Sequence, residues 1–165
     1  MFDIGEKVVY PVHGAGVIEG IEMQEVLGEH RNYYVLRLYV GDMRVLVPVD
    51  GVERVGVRKV CDANKLDEVR LVLGDSASPW EDNWNRRYRH NMEKIKSGDI
   101  CQLAEVVRNL MCRDLAKGLS TGEKKMLDNA RKILMSEVAL AAGEEPDKVE
   151  EQLFAVFRVE ATDLS

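Results

Sequence analysis

The chain has little of what covalent or metal chemistry requires. Its 165 residues include three cysteines and three histidines. Cys61, Cys101 and Cys112 lie far apart, are odd in number and form no C-x-x-C pair, so neither zinc-site spacing nor a disulfide framework is present and reduced thiols are expected. His13, His30 and His90 fall in turns or basic surroundings, none at metal-ligand spacing from a Cys, Asp or Glu. The patterns G-x-S-x-G, H-E-x-x-H and G-x-G-x-x-G are all missing, so no catalytic residue, metal or cofactor is expected. No apolar run approaches the roughly 18 residues of a membrane helix. The opening Met1-Phe2-Asp3-Ile4-Gly5-Glu6 lacks the basic and apolar regions of a secretory signal, and a cytoplasmic protein with no membrane partner is expected. Basic charge is also scarce: 23 Lys+Arg face 29 Asp+Glu, a net charge of −6, which argues against wrapping of nucleic acid by a uniformly basic surface. Any contact with DNA must be local.

What is present divides near residue 61. The first 60 residues are rich in Val, Tyr and Gly, with period-two stretches that predict strands over Lys7–Tyr10, Gly16–Met23, Asn32–Tyr39, Met43–Pro48 and Val52–Val57. Turn signals separate them: Pro11 with His13-Gly14, then Leu27-Gly28-Glu29, Gly41-Asp42 and Asp50-Gly51. Five short strands in about 55 residues suggest a small, strongly bent sheet or open barrel. In Arg44-Val45-Leu46-Val47 the apolar residues are consecutive, and Pro48 cannot continue a ladder. This segment is either a plain core strand or an edge strand open to a partner by strand addition.

From Asp62 onward Leu, Met, Ala, Lys and Glu recur at helical spacing. A first helix is predicted over Asn64–Leu73 and a second from near Asp82. Asp99 caps a third, whose apolar stripe is Ile100, Leu103, Val107, Leu110 and Met111 and which Gly118 closes. Ser120-Thr121-Gly122-Glu123 has the form of a capping box for a fourth, which runs through Met126, Leu127, Ala130, Ile133, Leu134, Val138 and Ala141 to Gly143. Pro146 opens a last short helix packing Val149, Leu153 and Phe157 inward, and the tail 161–165 is expected to fray. The class is thus α+β, with a sheet domain over 1–60 and a five-helix bundle over 61–165.

One constellation stands out in the helical part. Asn83-Trp84-Asn85-Arg86-Arg87-Tyr88-Arg89-His90 mixes aromatic and guanidinium groups, and between Arg86 and Lys96 five Lys/Arg accompany a single acid, Glu93. That local excess is a footprint for phosphate contact, and Arg suits forked hydrogen bonding. Two plainer readings compete with it. Trp84, Tyr88, Met92 and Ile95 recur at i, i+4, i+8 and i+11, which favours burial of Trp84, and the arginines are equally those of a solvated face pairing with Glu81, Asp82 and Glu93. Gly118–Lys125 glances at a phosphate-binding loop, but the glycine spacing is wrong and no strand precedes it, leaving Lys124 and Lys125 as minor phosphate contacts.

These pieces in this order resemble the CarD/CdnL family of transcription regulators, whose N-terminal module also occurs in the transcription-repair coupling factor. The matching stretches include Val8–Val17, Tyr34–Arg37, Met43–Pro48, Val55–Arg58, Asn83–Arg89, Ala104–Leu110 and Leu119–Leu127, spanning about residues 2 to 157. The resemblance implies a Tudor-like N-terminal domain that binds the β subunit of RNA polymerase, with Gln24, Val26, Arg44, Leu46 and Pro48 as the contact residues. It also implies a helical domain that meets promoter DNA at the upstream edge of the transcription bubble, with little base specificity. Trp84 would act there as a wedge that stabilises the open complex, with Arg86, Arg89 and Lys124 on the DNA, and this reverses the spacing-based preference for a buried Trp84; Arg87, from the same basic cluster, is expected on the DNA beside them. The chain departs from some members in holding Gln24 and Leu46 where they carry arginines, which points to strand pairing and apolar packing at the polymerase.

The rival to this regulator is a protein-interaction adaptor that uses the sheet for polymerase and the helical domain for another protein. A free-standing repair module ranks below both, because such a role needs an ATPase motor in the same polypeptide. An enzyme ranks last. The oligomeric state stays open, with a monomer expected.

Overall fold

A computed structural model of the chain describes residues 1–155, and every structural statement below concerns these. Five strands, β1 (Lys7–Tyr10), β2 (Gly14–Val26), β3 (Glu29–Leu38), β4 (Arg44–Pro48) and β5 (Arg58–Lys59), form one antiparallel sheet in the order β4-β3-β2-β1-β5. The β2–β3 ladder dominates, running from Gly16↔Leu38 to Val26↔Glu29 with a bulge between Ile18 and Gly20. Its loop is Leu27-Gly28, both left-handed at φ 53° and 80°, the twist that a two-residue hairpin requires. Gly16 is required for a different reason: a Cβ there would overlap the Arg37 carbonyl oxygen across the ladder.

One face of the sheet buries Val8, Ile18, Tyr34, Leu36, Leu38 and Val47, closed over by Val52 and Val57. At about 1.5–3 kcal/mol for each large side chain removed from water, this small core is enough to hold the sheet to one register. The strand expected over Val52–Val57 is not formed. Gly51 and Gly56, at φ 86° and 84°, flank two consecutive turns, in which Arg54 N–H donates to the Gly51 carbonyl and Gly56 N–H to that of Glu53. The turns still deliver both valines to the core, and the fifth strand is the short segment that follows them.

Five helices follow: α1 (Ala63–Gly74), α2 (Trp84–Lys96), α3 (Ile100–Lys117), α4 (Thr121–Ala142) and α5 (Pro146–Leu153). Side-chain oxygens of Asp62, Asn83, Asp99 and Ser120 cap the first four by accepting from the amides of Lys65, Arg86, Cys101 and Glu123. Gly143 ends α4 in the left-handed conformation at φ 69°. The apolar stripes expected on α3 and α4 meet in a single core with Leu66, Val69 and Leu73 of α1 and Val149 and Leu153 of α5. Phe157 and the tail 161–165 lie outside the described residues.

The sheet and the helices are joined along α4. Val9 and Ala15 of the sheet bury against Leu140, with Val17, Tyr39 and Val60 packed around them. Tyr39 and Val12 also reach the helical core.

Candidate nucleic-acid interface and sheet edge

α2 begins at Trp84 because Asn83, extended at φ −75° and ψ 112°, turns its side chain to accept from the Arg86 amide at 3.0 Å. The indole is 42% exposed, so periodicity misjudged it. The stripe it shares does go inward further along the helix, through half-buried Tyr88 and Met92 to buried Ile95. Trp84 lies at the end where α2 leaves the bundle. It is nonetheless held: its ring stacks on Tyr88 with centroids 5.0 Å apart and an interplanar angle of 18°. Its Nε1–H donates to Ser120 Oγ at 3.1 Å, and its six-membered ring covers Gly122. An apolar face is thus presented to solvent in a fixed orientation, between the N-termini of α2 and α4.

The basic residues around it separate into two kinds. Arg86 and Arg89 on α2 and Lys124 on α4 are exposed and make no side-chain hydrogen bond or ion pair among the described residues. The pairing with Glu81, Asp82 and Glu93 that a solvated face would show is not formed. Arg87 is different, with a side chain only 12% exposed. It donates Nε–H and Nη2–H to the two Glu123 oxygens at 2.9 Å each and Nη1–H to the Glu81 carbonyl at 2.7 Å. Its guanidinium also lies 4.3 Å from the centre of Trp80, whose ring has Arg113 at 4.6 Å.

Glu123 therefore does not complete the capping box. The Ser120 hydroxyl accepts from the Glu123 amide as expected, at 3.3 Å, but the carboxylate turns to Arg87 instead of the Ser120 amide. A forked guanidinium makes stronger, charge-assisted bonds than a backbone N–H. The Arg87 bonds hold the Glu123 carboxyl below its ordinary value, against the opposing effect of burial. Ser120 Oγ–H donates to Glu123 Oε1 at 3.1 Å, so one chain of bonds runs Trp84–Ser120–Glu123–Arg87. Ser120, Glu123 and Trp80 were not foreseen as parts of this site; the capping signature marked the first two for another role, and Trp80 carried no signal.

The second surface lies on the sheet. β4 pairs only with β3, by Arg37↔Arg44, Val35↔Leu46 and Tyr33↔Pro48, so it is an edge strand and not an interior one. Because side chains alternate along a strand, the register places Arg44, Leu46 and Pro48 on the face shared by Tyr33 and Val35. Carried across β3 to β2 past the bulge, the same parity puts Gln24 and Val26 on that face, opposite Arg31 and Glu29. All five sequence-derived residues thus lie on one side of one sheet. Leu46 is 38% exposed, and Arg44 forms an ion pair with Glu19 at 3.4 Å. The β2–β3 hairpin extends beyond the end of β4 and carries exposed Ile21, Met23, Val26 and Leu27.

No group of His, Cys, Asp and Glu able to hold a metal occurs among the described residues, and none of their helices is long and apolar enough to cross a membrane.

Comparison with known proteins gives matches over both halves. Residues 2–61 match the family model of the CarD-like/TRCF RID domain, and residues 68–154 that of the CarD C-terminal domain. The chain is similar to the "Putative transcription factor YdeB" of Bacillus subtilis (strain 168), with 42% identity over 143 residues, covering 87% of this chain and 94% of that protein. It is also similar in sequence to the 72-residue N-terminal domain of Myxococcus xanthus CarD, solved by solution NMR, at 32% identity over 36% of this chain and 79% of that one. The TM-score for that pair is 0.31.

Proposed function

The chain belongs to the CarD family of transcription factors, and from that premise we propose that it bridges RNA polymerase and promoter DNA, docking by its sheet and stabilising the open complex with Trp84. The observation that carries this reading is the state of Trp84. Its large ring is 42% exposed yet stacked on Tyr88 and hydrogen-bonded along one edge, so it meets solvent in one fixed orientation, as a wedge requires. Placed against an unstacked step at the upstream edge of the bubble, it opposes re-annealing. Arg86, Arg89 and Lys124, with no partner among the described residues, grip the flanking phosphates, and two helix N-termini add favourable partial charge. Arg87 takes a different part from the one its position in the basic cluster suggests: it positions Trp84 through Glu123 and Ser120.

On the polymerase side the partner is the β subunit, whose strand adds to β4 while apolar side chains pack on Leu46, Pro48 and Val26, with Gln24 and Arg44 at the margin. Phosphate contacts and a wedge hold little base information, so DNA binding by the protein alone is weak. Tethering to polymerase supplies the effective concentration that makes it sufficient. The protein works as a monomer, with residues 1–60 and 61–165 dividing the two tasks, in the cytoplasm wherever polymerase occupies promoters.

The test is the lifetime of competitor-challenged open complexes with wild type and Trp84→Ala. The variant keeps its fold and its polymerase affinity and shortens the lifetime. An unchanged lifetime removes the wedge and leaves the adaptor reading, in which the helical domain serves another protein.

A further inference from the structure

Glu137 lies in the C-terminal third of α4 with its side chain at 0% exposure, a costly place for a carboxylate. It receives three hydrogen bonds, all from β5 and the residues just after it. Arg58 of β5 donates Nη1–H and Nη2–H to its two oxygens at 2.8 Å each, and the Cys61 amide donates at 2.9 Å. The same Arg58 donates Nε–H to the Gly98 carbonyl at 2.6 Å, in the turn between α2 and α3. One guanidinium thus ties the sheet to α4 and to the C-terminal end of the helix whose other end is Trp84. The neighbouring residues of α4 add to the joint: Ser136 Oγ accepts from the Ala15 amide at 2.9 Å, and the Leu140 carbonyl accepts from Lys7 Nζ at 3.2 Å.

A buried ion pair contributes little net stability compared with an apolar contact of equal volume, whereas its forked geometry fixes distance and angle. An apolar joint alone, such as the Val9–Ala15–Leu140 cluster, would permit sliding. We infer that Glu137, through Arg58, is a positioning residue that sets where Trp84 stands relative to the polymerase-docked sheet while touching neither polymerase nor DNA. The inference rests on the proposed function. Because Trp84 and Arg87 are bonded to α4, the helices turn relative to the sheet as one body; at 1.5 Å per residue the 13 residues of α2 place Trp84 about 20 Å from the Gly98 end, so a rotation of about 10° there carries it about 3.5 Å, a whole base-stacking step.

The experiment compares Glu137→Gln, Trp84→Ala and the double variant in the full-length protein, using polymerase-lobe affinity, open-complex lifetime and residual dipolar couplings. Glu137→Gln is expected to keep its fold and polymerase affinity, to require separate alignment tensors for the sheet and the helices, and to shorten the lifetime about fivefold or more. The double variant is expected to lose less than the sum of the two single effects, because Glu137 acts through the placement of Trp84 and of the basic residues beside it. A wild-type lifetime with Glu137→Gln, or additive effects in the double variant, overturns the inference while Trp84→Ala still upholds the wedge. An unchanged lifetime with Trp84→Ala overturns the wedge itself and the inference with it. Should Glu137→Gln fail to fold, Arg58→Lys, which keeps the charge and loses the fork, is read against the same outcomes.

Discussion

Replacing Glu123 with Gln probes the chain of bonds that holds Trp84 in place. The carboxylate side chain is 3% exposed and receives two bonds from Arg87 and one from the Ser120 hydroxyl. A Gln at this position keeps one acceptor oxygen but turns an NH2 toward a donor and removes the charge. One hydrogen bond to a charged group is worth about 1.5–3 kcal/mol, and removing a partner from a fully enclosed pair costs about 3–5 kcal/mol. Arg87 retains some solvent, the Glu81 carbonyl and the Trp80 face, so the cost falls just below that range, at about 2–3 kcal/mol. For a chain of this size that lowers Tm by about 5–10 °C. The pH dependence has a definite sign. Arg87 holds the folded-state Glu123 carboxyl below its ordinary value near 4.5, so the stabilisation is complete above about pH 4.5 and is lost as pH falls through the folded value. Urea titrations followed by far-UV circular dichroism at pH 7 and pH 3.5 should show the gap between wild type and Glu123→Gln narrowing at the lower pH. A gap below about 0.5 kcal/mol at pH 7, or one equal at both values, would refute a structural role for the pair.

Two further expectations concern the sheet and its joint to the helices. Gly16→Ala forces a methyl into the Arg37 carbonyl, with backbone on both sides and nothing able to yield; a loss of about 3 kcal/mol and faster amide exchange along β2–β3 are expected, and wild-type protection factors would contradict this. The Cys61 thiol is pushed up to about 12, first by burial and then by the Glu137 carboxylate, so at pH 8 iodoacetamide should modify it far more slowly in the folded chain than in urea, and equal rates would contradict the geometry of the joint.

Much of the fold is written in local signals. Asp99 and Ser120 announce their helices because capping needs a short side-chain acceptor at one position, and Gly143 and Pro146 mark an end and a start for equally local reasons. The hairpin is readable from alternation and from Leu27-Gly28, but not its length: the strands expected to stop at Met23 and resume at Asn32 continue pairing to Val26 and Glu29, because the charged and polar tip shows no apolar alternation. Val52–Val57 misleads, because valine-rich composition resembles a strand while the positive-φ glycines on either side bend the segment into turns that bury the same valines. Trp84 misleads in the opposite sense, since periodicity cannot register that its end of α2 lies beyond the bundle. Arg87 reads as one more surface cation until the fold brings Glu123 to it from 36 residues away. The Arg58–Glu137 fork, 79 residues apart in sequence, leaves no local trace at all.

The most direct measurement is a pull-down of the isolated polymerase β-subunit lobe by wild type and by Leu46→Glu. Leu46 is exposed on the edge strand, so the substitution leaves the fold intact and places a charge where a partner strand would pack. Capture by wild type and its loss in a folded Leu46→Glu variant is the predicted result. No capture by wild type, or equal capture by both, would contradict docking through this edge.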